Sequence, residues 1–385
     1  MFVLSIIDSI FFALLTFCVL YKLFFILAAF LKRPLTFEPS EKHAQIAVLF
    51  PVYAEGTVIL QSIKSFQNQS YPSENYQTIV VADHCDASHV EELRSKYPVR
   101  VFDVNFENSS KAKALNYAME QLVNDDFDVV VILDVDNHVD VDFLEKINLA
   151  YQNGCKAIQT QRVASSISTP VAMLDAITEA INNTIFRNGH SKVGLSAALI
   201  GSGMAFDATL FRENVGQLST IGEDKELELL LSAQKVHVHY LHDALVYDQK
   251  VSGSAAFNNQ RRRWMSAQCQ MLFKALQISP KVYRKVGIDF FDKIIQWFML
   301  PNSLLVAFVA MFSIITSLFL WSRTFKWWVL FFVLVLILFV AIPRKFYTKK
   351  LIKSLAYMPW LVVLMFVNLL RLYKTENKFR HTKHD

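Results

Sequence analysis

The chain has 385 residues, is 53% hydrophobic and has a mean hydropathy of +0.28, too apolar for an ordinary soluble protein of this length. Its net charge of +5 is unevenly spread: residues 281–385 hold 16 Lys and Arg against 4 Asp and Glu, so residues 1–280 carry −7. A basic excess confined to an apolar C-terminal region argues for lipid headgroups and membrane topology rather than nucleic acid. Cys18, Cys85, Cys155 and Cys269 lack any Cys-x-x-Cys spacing, which argues against a disulfide framework or zinc site and for a reducing cytosol around the main domain.

In chain order, residues 10–31 are almost continuously apolar and long enough to cross a bilayer. No basic stretch precedes them and no small-residue cleavage site follows, so they read as an uncleaved anchor rather than a signal peptide. Lys32 and Arg33 follow at once and place the next domain in the cytoplasm. From residue 45 to about 250 the pattern alternates. Strands are expected at 46–50, 78–82, 99–104, 157–161 and 198–201, and helices at 57–68, 87–96, 111–123, 172–186 and 258–276. This is the mark of an α/β domain with a mostly parallel sheet. Residues 282–298 read as a helix lying in the membrane interface, with Tyr283, Val286, Phe290, Ile294, Trp297 and Phe298 on its apolar face. Candidate spans follow at 302–321, 327–342 and 352–370, with a basic link at 343–353 that belongs on the cytoplasmic side. If all three cross, the basic tail at 373–385 lies outside, so a re-entrant or interfacial last segment is the alternative.

The centre of the pattern is residues 129–133, a short β-branched run flanked by Asp128 and Asp134. It lacks the alternation of a half-exposed strand and reads as one buried on both faces. Ligands of open α/β sheets bind at the carboxyl ends of strands. Asp134 and Asp136 emerge there, and such a pair can hold a hard divalent cation together with substrate phosphates. A surface turn rich in Asp is the plainer reading of Asp-x-Asp alone. An EF-hand fits poorly, because His138 and Val139 occupy positions that need an oxygen ligand and a glycine.

More specific is the order of the polar motifs: Phe50-Pro51-Val52-Tyr53-Ala54-Glu55, Val81-Ala82-Asp83-His84-Cys85-Asp86, Lys111-Ala112-Lys113-Ala114-Leu115-Asn116, Asp134-Val135-Asp136, Gly201-Ser202-Gly203-Met204, Gly222-Glu223-Asp224 and Gln260-Arg261-Arg262-Arg263-Trp264. In this order they resemble the family 2 glycosyltransferases, in the membrane-embedded branch of the cellulose, chitin and hyaluronan synthases. The resemblance covers residues 46–264 and implies a GT-A fold, a Rossmann-like mixed α/β sheet. It also implies a UDP-sugar donor and Mg²⁺ or Mn²⁺ as cofactor. Carried over by position, Tyr53, Glu55, Asp83 and Asp134 would hold the nucleoside, Asp136 the metal, and Lys111, Gln260 and Arg263 the diphosphate. Asp224 would be the general base, with Glu223 beside it. Trp264, Gly203 and Met204 would face the acceptor. Ala54 departs from the Asn often found there, Ser110 stands where Gly is common, and no gating segment like that of the cellulose synthases follows Trp264.

These roles suit the chemistry. A carboxylate can take the proton of a weakly nucleophilic sugar hydroxyl. A cation and a guanidinium offset the charge of the departing diphosphate, and an indole covers the apolar face of a sugar. Glu223 and Asp224 could instead merely favour a helix N-terminus. Trp264 and Arg261–Arg263 could be membrane anchors.

The resulting expectation is an anchor at 1–33, a cytoplasmic catalytic domain at 45–276, an interfacial helix at 277–300, spans at 301–372 and a basic tail at 373–385. The expected location is a plasma membrane, in bacteria the inner one. The expected activity is inverting transfer to a growing cell-surface polysaccharide. The alternatives are single transfer to a lipid-linked acceptor and a non-catalytic scaffold for export or co-synthase subunits. Nucleic acid is not an expected partner.

Overall fold

The computed structural model describes residues 2–31, 36–220, 222–250, 253–278 and 284–371. Lys32, Arg33, Tyr283 and the tail beyond 371 lie outside the described residues.

Strands β1 (Ile46–Tyr53) and β4 (Val129–Ile132) run parallel, with Ile46 against Val129 and Leu49 against Ile132. All of β4 is buried, as its unbroken β-branched run requires. On the far side of β1 lie β2 (Tyr76–Asp83) and then β3 (Val99–Val104), both parallel. On the far side of β4, strand β7 (Met204–Asp207) is antiparallel both to β4 and to β6 (Ala157–Ala164). Strand β8 (Val238–Asp248) pairs parallel with β6, and the two-residue β5 (His138–Val139) completes the edge. The order is β3-β2-β1-β4-β7-β6-β8-β5. The chain proceeds from β1 to β2 on one flank, and β4 occupies the other. That reversal opens a crevice at the carboxyl ends of β1 and β4.

Helices cover both faces. On one, α2 (Gly56–Phe66), α3 (Ala87–Lys96) and α5 (Phe143–Gln152) pack over Ile46, Val48, Phe50, Val129 and Val131. On the other, α4 (Lys111–Gln121), α8 (Ala208–Val215) and α9 (Glu223–Ala233) cover Ala47, Leu49, Val130 and Ile132. The expected strand at 198–201 is irregular. Its amides are taken one at a time: Ala198 N donates to the Phe186 carbonyl, Leu199 N to Glu228 Oε1 and Ile200 N to Gln159 Oε1. The ladder resumes only after Gly203. There φ is +62° and a Cβ would come within 2.3 Å of Thr160 Oγ1, so only glycine fits.

The helix expected at 172–186 is α6 (Pro170–Asn182), which continues through a π-helical segment, Asn183–Gly189, into α7 (His190–Lys192). The predicted interfacial helix is shorter, α11 (Ile288–Phe298), and its predicted apolar face is not bare. Phe290 and Trp297 are buried with Leu229 and with Met271 and Ala275 of α10 (Ser254–Leu276). The polar side turns inward too: Lys293 Nζ donates to the carbonyls of Ser196 (3.2 Å) and Ala197 (3.1 Å) and to Glu228 (3.2 Å). The apolar side chains left outside are Ile288, Phe291 and Phe298.

Ser5–Leu31 of α1 (Phe2–Leu31), α12 (Asn302–Phe319) and Trp321–Ala341, which includes α13 (Thr324–Ala341), are each long and apolar enough to cross a membrane. Asp8 ties α1 to α13: it accepts from the Trp327 indole at 2.7 Å and from Arg323 at 2.8 Å, and it also pairs with Lys326. The last predicted span is instead two helices, α14 (Lys349–Leu355) and α15 (Met358–Arg371), bent by 46°. Pro359 can start a helix but disfavours helical backbone at the residue before it. α15 packs on α10, the helix that carries Gln260, Arg263 and Trp264, with Asn368 Nδ2 donating to Asn258 Oδ1 at 2.6 Å and Leu361 against Phe257.

Ala54, just past β1, is exposed and has a φ of +55°. A side chain in this left-handed region costs about 1 kcal/mol or more, and Asn, the residue the motif resemblance implies here, tolerates it better than Ala. Ala54→Gly should raise the unfolding free energy by about 0.5 kcal/mol, the strain relieved less the entropy of a freer unfolded chain. The check is a denaturant midpoint in detergent; an unchanged or lower value contradicts the strain.

Candidate active site

The carboxyl ends of β1, β2 and β4, the N-termini of α4 and α9, and one side of α10 surround a cavity of about 410 Å³. Its wall contains Tyr53, Glu55, Asp83, Lys111, Asp134, Asp136, Glu223, Asp224, Gln260, Arg263 and Trp264. Gly203 and Met204, expected near the acceptor, are not in it. Gly203 N donates to the Ile132 carbonyl at 2.9 Å, and Met204 is 1% exposed within β7. Their place is in the sheet beneath the site, and Gly201 is the member of that motif at the surface of the cavity.

Asp83 ends β2 and is 3% exposed. Its Oδ1 accepts from Phe106 N at 3.1 Å and pairs with His84 Nδ1 at 2.6 Å. Ala54 N donates to the Asp83 carbonyl at 3.0 Å and so fixes the turn carrying Tyr53 and Glu55. Asp134 leaves β4 with its amide bonded to Asn137 Oδ1 (2.9 Å) and Ser202 Oγ (3.1 Å). Asp136 is 5% exposed, accepting from Asn137 Nδ2 at 3.2 Å and Gln249 N at 3.1 Å.

Lys111 opens α4, whose N-cap is Ser110, with Oγ accepting from Lys113 N at 3.2 Å. Its ammonium bonds Asp134 and the Gly201 carbonyl and lies 3.7 Å from Glu223. Burial works against that charge, but Asp134 and Glu223 hold the lysine above its ordinary pKa. Glu223 is pushed up to about 7, first by burial; Lys111 opposes the rise, and Asp224 and Asp134 add to it.

Glu223 and Asp224 do begin a helix, and they also line the cavity. A Cβ on Gly222 would lie 2.5 Å from Ala267 Cβ, so the missing side chain lets α9 dock on α10 three residues past Trp264. This close approach sets the acidic pair beside the Gln-x-x-Arg-Trp residues. On α10 the Trp264 ring has the Arg261 guanidinium 4.7 Å from its centroid and that of Arg162 at 6.0 Å. Arg261 also pairs with Asp175 on α6.

Residues 43–267 match the family described as glycosyltransferase like family 2. The chain belongs to that family. It is 23% identical over 273 residues to the probable glycosyltransferase YdaM of Bacillus subtilis, covering 68% of this chain and 64% of that relative, less than two thirds of its length. The mannosyltransferase PcManGT from Pyrobaculum calidifontis, solved with GDP-Man and Mn²⁺, superposes with a TM-score of 0.63 at 17% identity, covering 96% of this chain and 99% of that one. The shared fold is GT-A-like. S. aureus TarS 1–349 in complex with UDP-GlcNAc has a TM-score of 0.41 at 12% identity, over 86% of this chain and 90% of that one.

Beside the motifs of this family 2 domain, the cavity wall holds charges that motif reading passes over: Arg162, Glu179, Arg187 and Asp248. Glu179 accepts from Arg162 at 2.8 Å and Arg187 at 3.3 Å, and lies 3.7 Å from Lys250. A signal for them exists in the sequence. Glu179, Asn183 and Arg187 recur every fourth residue through an apolar segment and so share one helix face.

Among the described residues no group of three or more His, Cys, Asp or Glu side chains is placed to hold a metal ion. The donor chemistry nevertheless fits a hard divalent cation. Asp134 and Asp136 present carboxylate oxygens at one strand end, and such ions take most of their remaining ligands from phosphate and water.

The Glu223 pKa carries a stability consequence. Folded, the group holds its proton to about pH 7, whereas the unfolded chain releases it near 4.5. Stability is therefore fully present below about pH 4.5 and falls as pH rises toward 7. Between pH 5 and 8 the wild type should lose up to about 3 kcal/mol more than Glu223→Gln does. Denaturant titrations of both proteins at the two pH values measure this; parallel curves contradict it.

Proposed function

We propose that this protein is an inverting glycosyltransferase that moves a sugar from a nucleotide-diphosphate sugar to the hydroxyl of a membrane-presented acceptor, in building a cell-surface glycan. What supports the reading most is that one cavity gathers the nucleoside side (Tyr53, Asp83), the diphosphate side (Lys111, Gln260, Arg263), the acidic pair and Trp264. A non-catalytic scaffold would have no need of that convergence. UDP is the expected nucleotide on the strength of the motif resemblance; PcManGT carries GDP-Man and TarS carries UDP-GlcNAc in their structures.

In this reading Asp224 accepts the proton of the acceptor hydroxyl as it attacks the anomeric carbon. Attack opposite the leaving diphosphate, without a covalent enzyme intermediate, inverts that centre. Arg263 and Lys111 face the charge that develops on the diphosphate. Trp264 supports the acceptor sugar. Asp136, with Asp134, would hold Mg²⁺ or Mn²⁺, which when bound neutralises diphosphate charge. The catalytic domain faces the cytoplasm, where nucleotide sugars are supplied. That placement rests on the sequence signal of Lys32 and Arg33.

A growing polysaccharide is one acceptor. A lipid-linked saccharide is the second reading, favoured by the cavity's extension to Lys22 of α1, Asn302 of α12 and Met365 of α15.

Two variants separate the roles. Asp224→Asn should lower transfer by about 10²–10⁴-fold, the usual worth of a general base, with UDP affinity unchanged within a few fold. Arg263→Ala should weaken UDP binding and turnover together, because it removes a charge-assisted contact. Calorimetric UDP titration and initial rates on a panel of UDP-sugars report both. Parallel loss of UDP binding and rate in Asp224→Asn would make it a donor-binding residue. Chelation with EDTA should abolish transfer and Mn²⁺ should restore it; full activity in chelator removes Asp136 from the metal role.

A further inference from the structure

Lys22 lies in the C-terminal half of α1, a helix apolar enough to cross a membrane, and is 1% exposed. Its ammonium is closed to water and meets no hydrogen-bond acceptor among the described residues. It stands over the face of the Phe186 ring, 5.0 Å to the centroid, with the Cys18 thiol nearby on the same helix. Other buried cations around the site are matched: Arg187 by Glu179, Arg261 by Asp175, Lys293 by Glu228. An ammonium held out of water without an anion is costly, and an ionisable group inside a membrane helix marks a functional site by default.

Lys22 and Phe186 belong to the wall of the catalytic cavity, together with Asn302 at the start of α12. Asn302 Oδ1 and Gln260 Oε1 are further polar atoms of the wall's residues that meet no partner among the described residues, while Asn302 Nδ2 donates to Asn182 at 3.3 Å. An unmatched cation and unmatched acceptor oxygens in one wall suit a ligand that carries both an anionic group and hydroxyls. A soluble donor is expected at Tyr53 and Asp83, at the strand ends. Lys22, Asn302 and Met365 come from α1, α12 and α15, so this end belongs to the membrane-associated part.

We infer that Lys22 is the phosphate-binding residue for a lipid-linked acceptor, seating the phosphate that joins hydrocarbon chain to saccharide and thereby setting the saccharide's distance from Asp224. The inference rests on the glycosyltransferase reading above and names its acceptor class. Lys22 touches the acceptor's phosphate and takes no part in bond making.

The test uses the full chain in phosphatidylcholine nanodiscs, titrated with dodecyl phosphate, dodecanol, inorganic phosphate and, separately, UDP. Dodecyl phosphate should bind the wild type about tenfold or more tightly than Lys22→Met, the size of one charge-assisted hydrogen bond. Dodecanol should bind weakly to both. Lys22→Met should also melt at or above the wild type, since it removes an unmatched buried charge. If that variant melts lower, Lys22→Gln keeps the length and polarity without the charge and must show the same loss of affinity. Equal affinity of wild type and variant for dodecyl phosphate overturns the inference, as does dodecanol binding as tightly as the phosphate. Inorganic phosphate binding with the same affinity and the same Lys22 dependence overturns the lipid source. The UDP arm keeps the two readings apart. Loss of UDP binding from every preparation, wild type included, tells against the glycosyltransferase reading, whereas intact UDP binding with no role for Lys22 tells against this inference alone.

Discussion

Glu179 accepts from Arg162 on β6 and Arg187 on the π-helical segment, and stands 3.7 Å from Lys250 just beyond β8. Burial opposes its charge, yet Arg162, Lys250 and Arg187 hold its pKa well below the ordinary carboxylate range. Asp248, 2.8 Å from Lys250 and 4.0 Å from Arg162, adds a second carboxylate, so sheet, helix and following loop meet here as three cations around two carboxylates. Without Glu179, Arg187 would lose its counter-charge and Arg162 and Lys250 one of theirs, a far larger penalty than the loss of a surface pair. Arg162 in turn lies beside the Trp264 ring. The surface proposed to carry the acceptor sugar is therefore backed by the same cluster that joins α6 to the sheet.

From that junction the apolar helix α1 and helices α10 and α11 are tied together and to the α/β domain through polar contacts, which are directional where apolar packing is not. Tyr21 on α1 donates to Asp292 on α11 at 2.6 Å and lies 2.9 Å from His190 Nε2. Gln268 on α10 donates to the carbonyls of Trp297 and Met299, each at 2.8 Å. With its polar side chains used inward, α11 leaves Ile288, Phe291 and Phe298 outside. Of the apolar face read from the sequence, Phe298 stays outside, but the domain itself claims Phe290 and Trp297, and Ile288 and Phe291 are free in their place.

The central strands and the convergence of the polar motifs on one cavity were legible because each rests on a local rule. An unbroken β-branched run must be covered on both faces, and polar residues at strand ends must line the crevice. β7 was not legible. It is four residues long, and what permits it is the left-handed turn at Gly203, which depends on Thr160 far away in sequence. Residues 198–201 look like a strand by composition, but Gln159, Phe186 and Glu228 claim their amides. Gly201 and Gly203 stand two apart in one motif, and only the fold puts the first in the cavity wall and the second under it. Lys22 was hidden by its neighbours: one charge in an apolar run reads as an interruption until the wall around it is known.

The π-helical segment Asn183–Gly189 adds a different kind of constraint. Its hydrogen bonds close over five residues rather than four. Upstream, Glu179 must face Arg162; downstream, Gly189 must lie flat against the Phe25 carbonyl, which a Cβ there would approach to 2.3 Å. Each such turn holds about one residue more than an α-helical turn, and with that extra residue both contacts are made at once. In an α-helix one further residue would turn the ends against each other by about 100°. What this stretch encodes is a count as much as a composition: an insertion would set its ends apart, whereas a deletion has a way back, by closing the wide turn into an ordinary α-helical one.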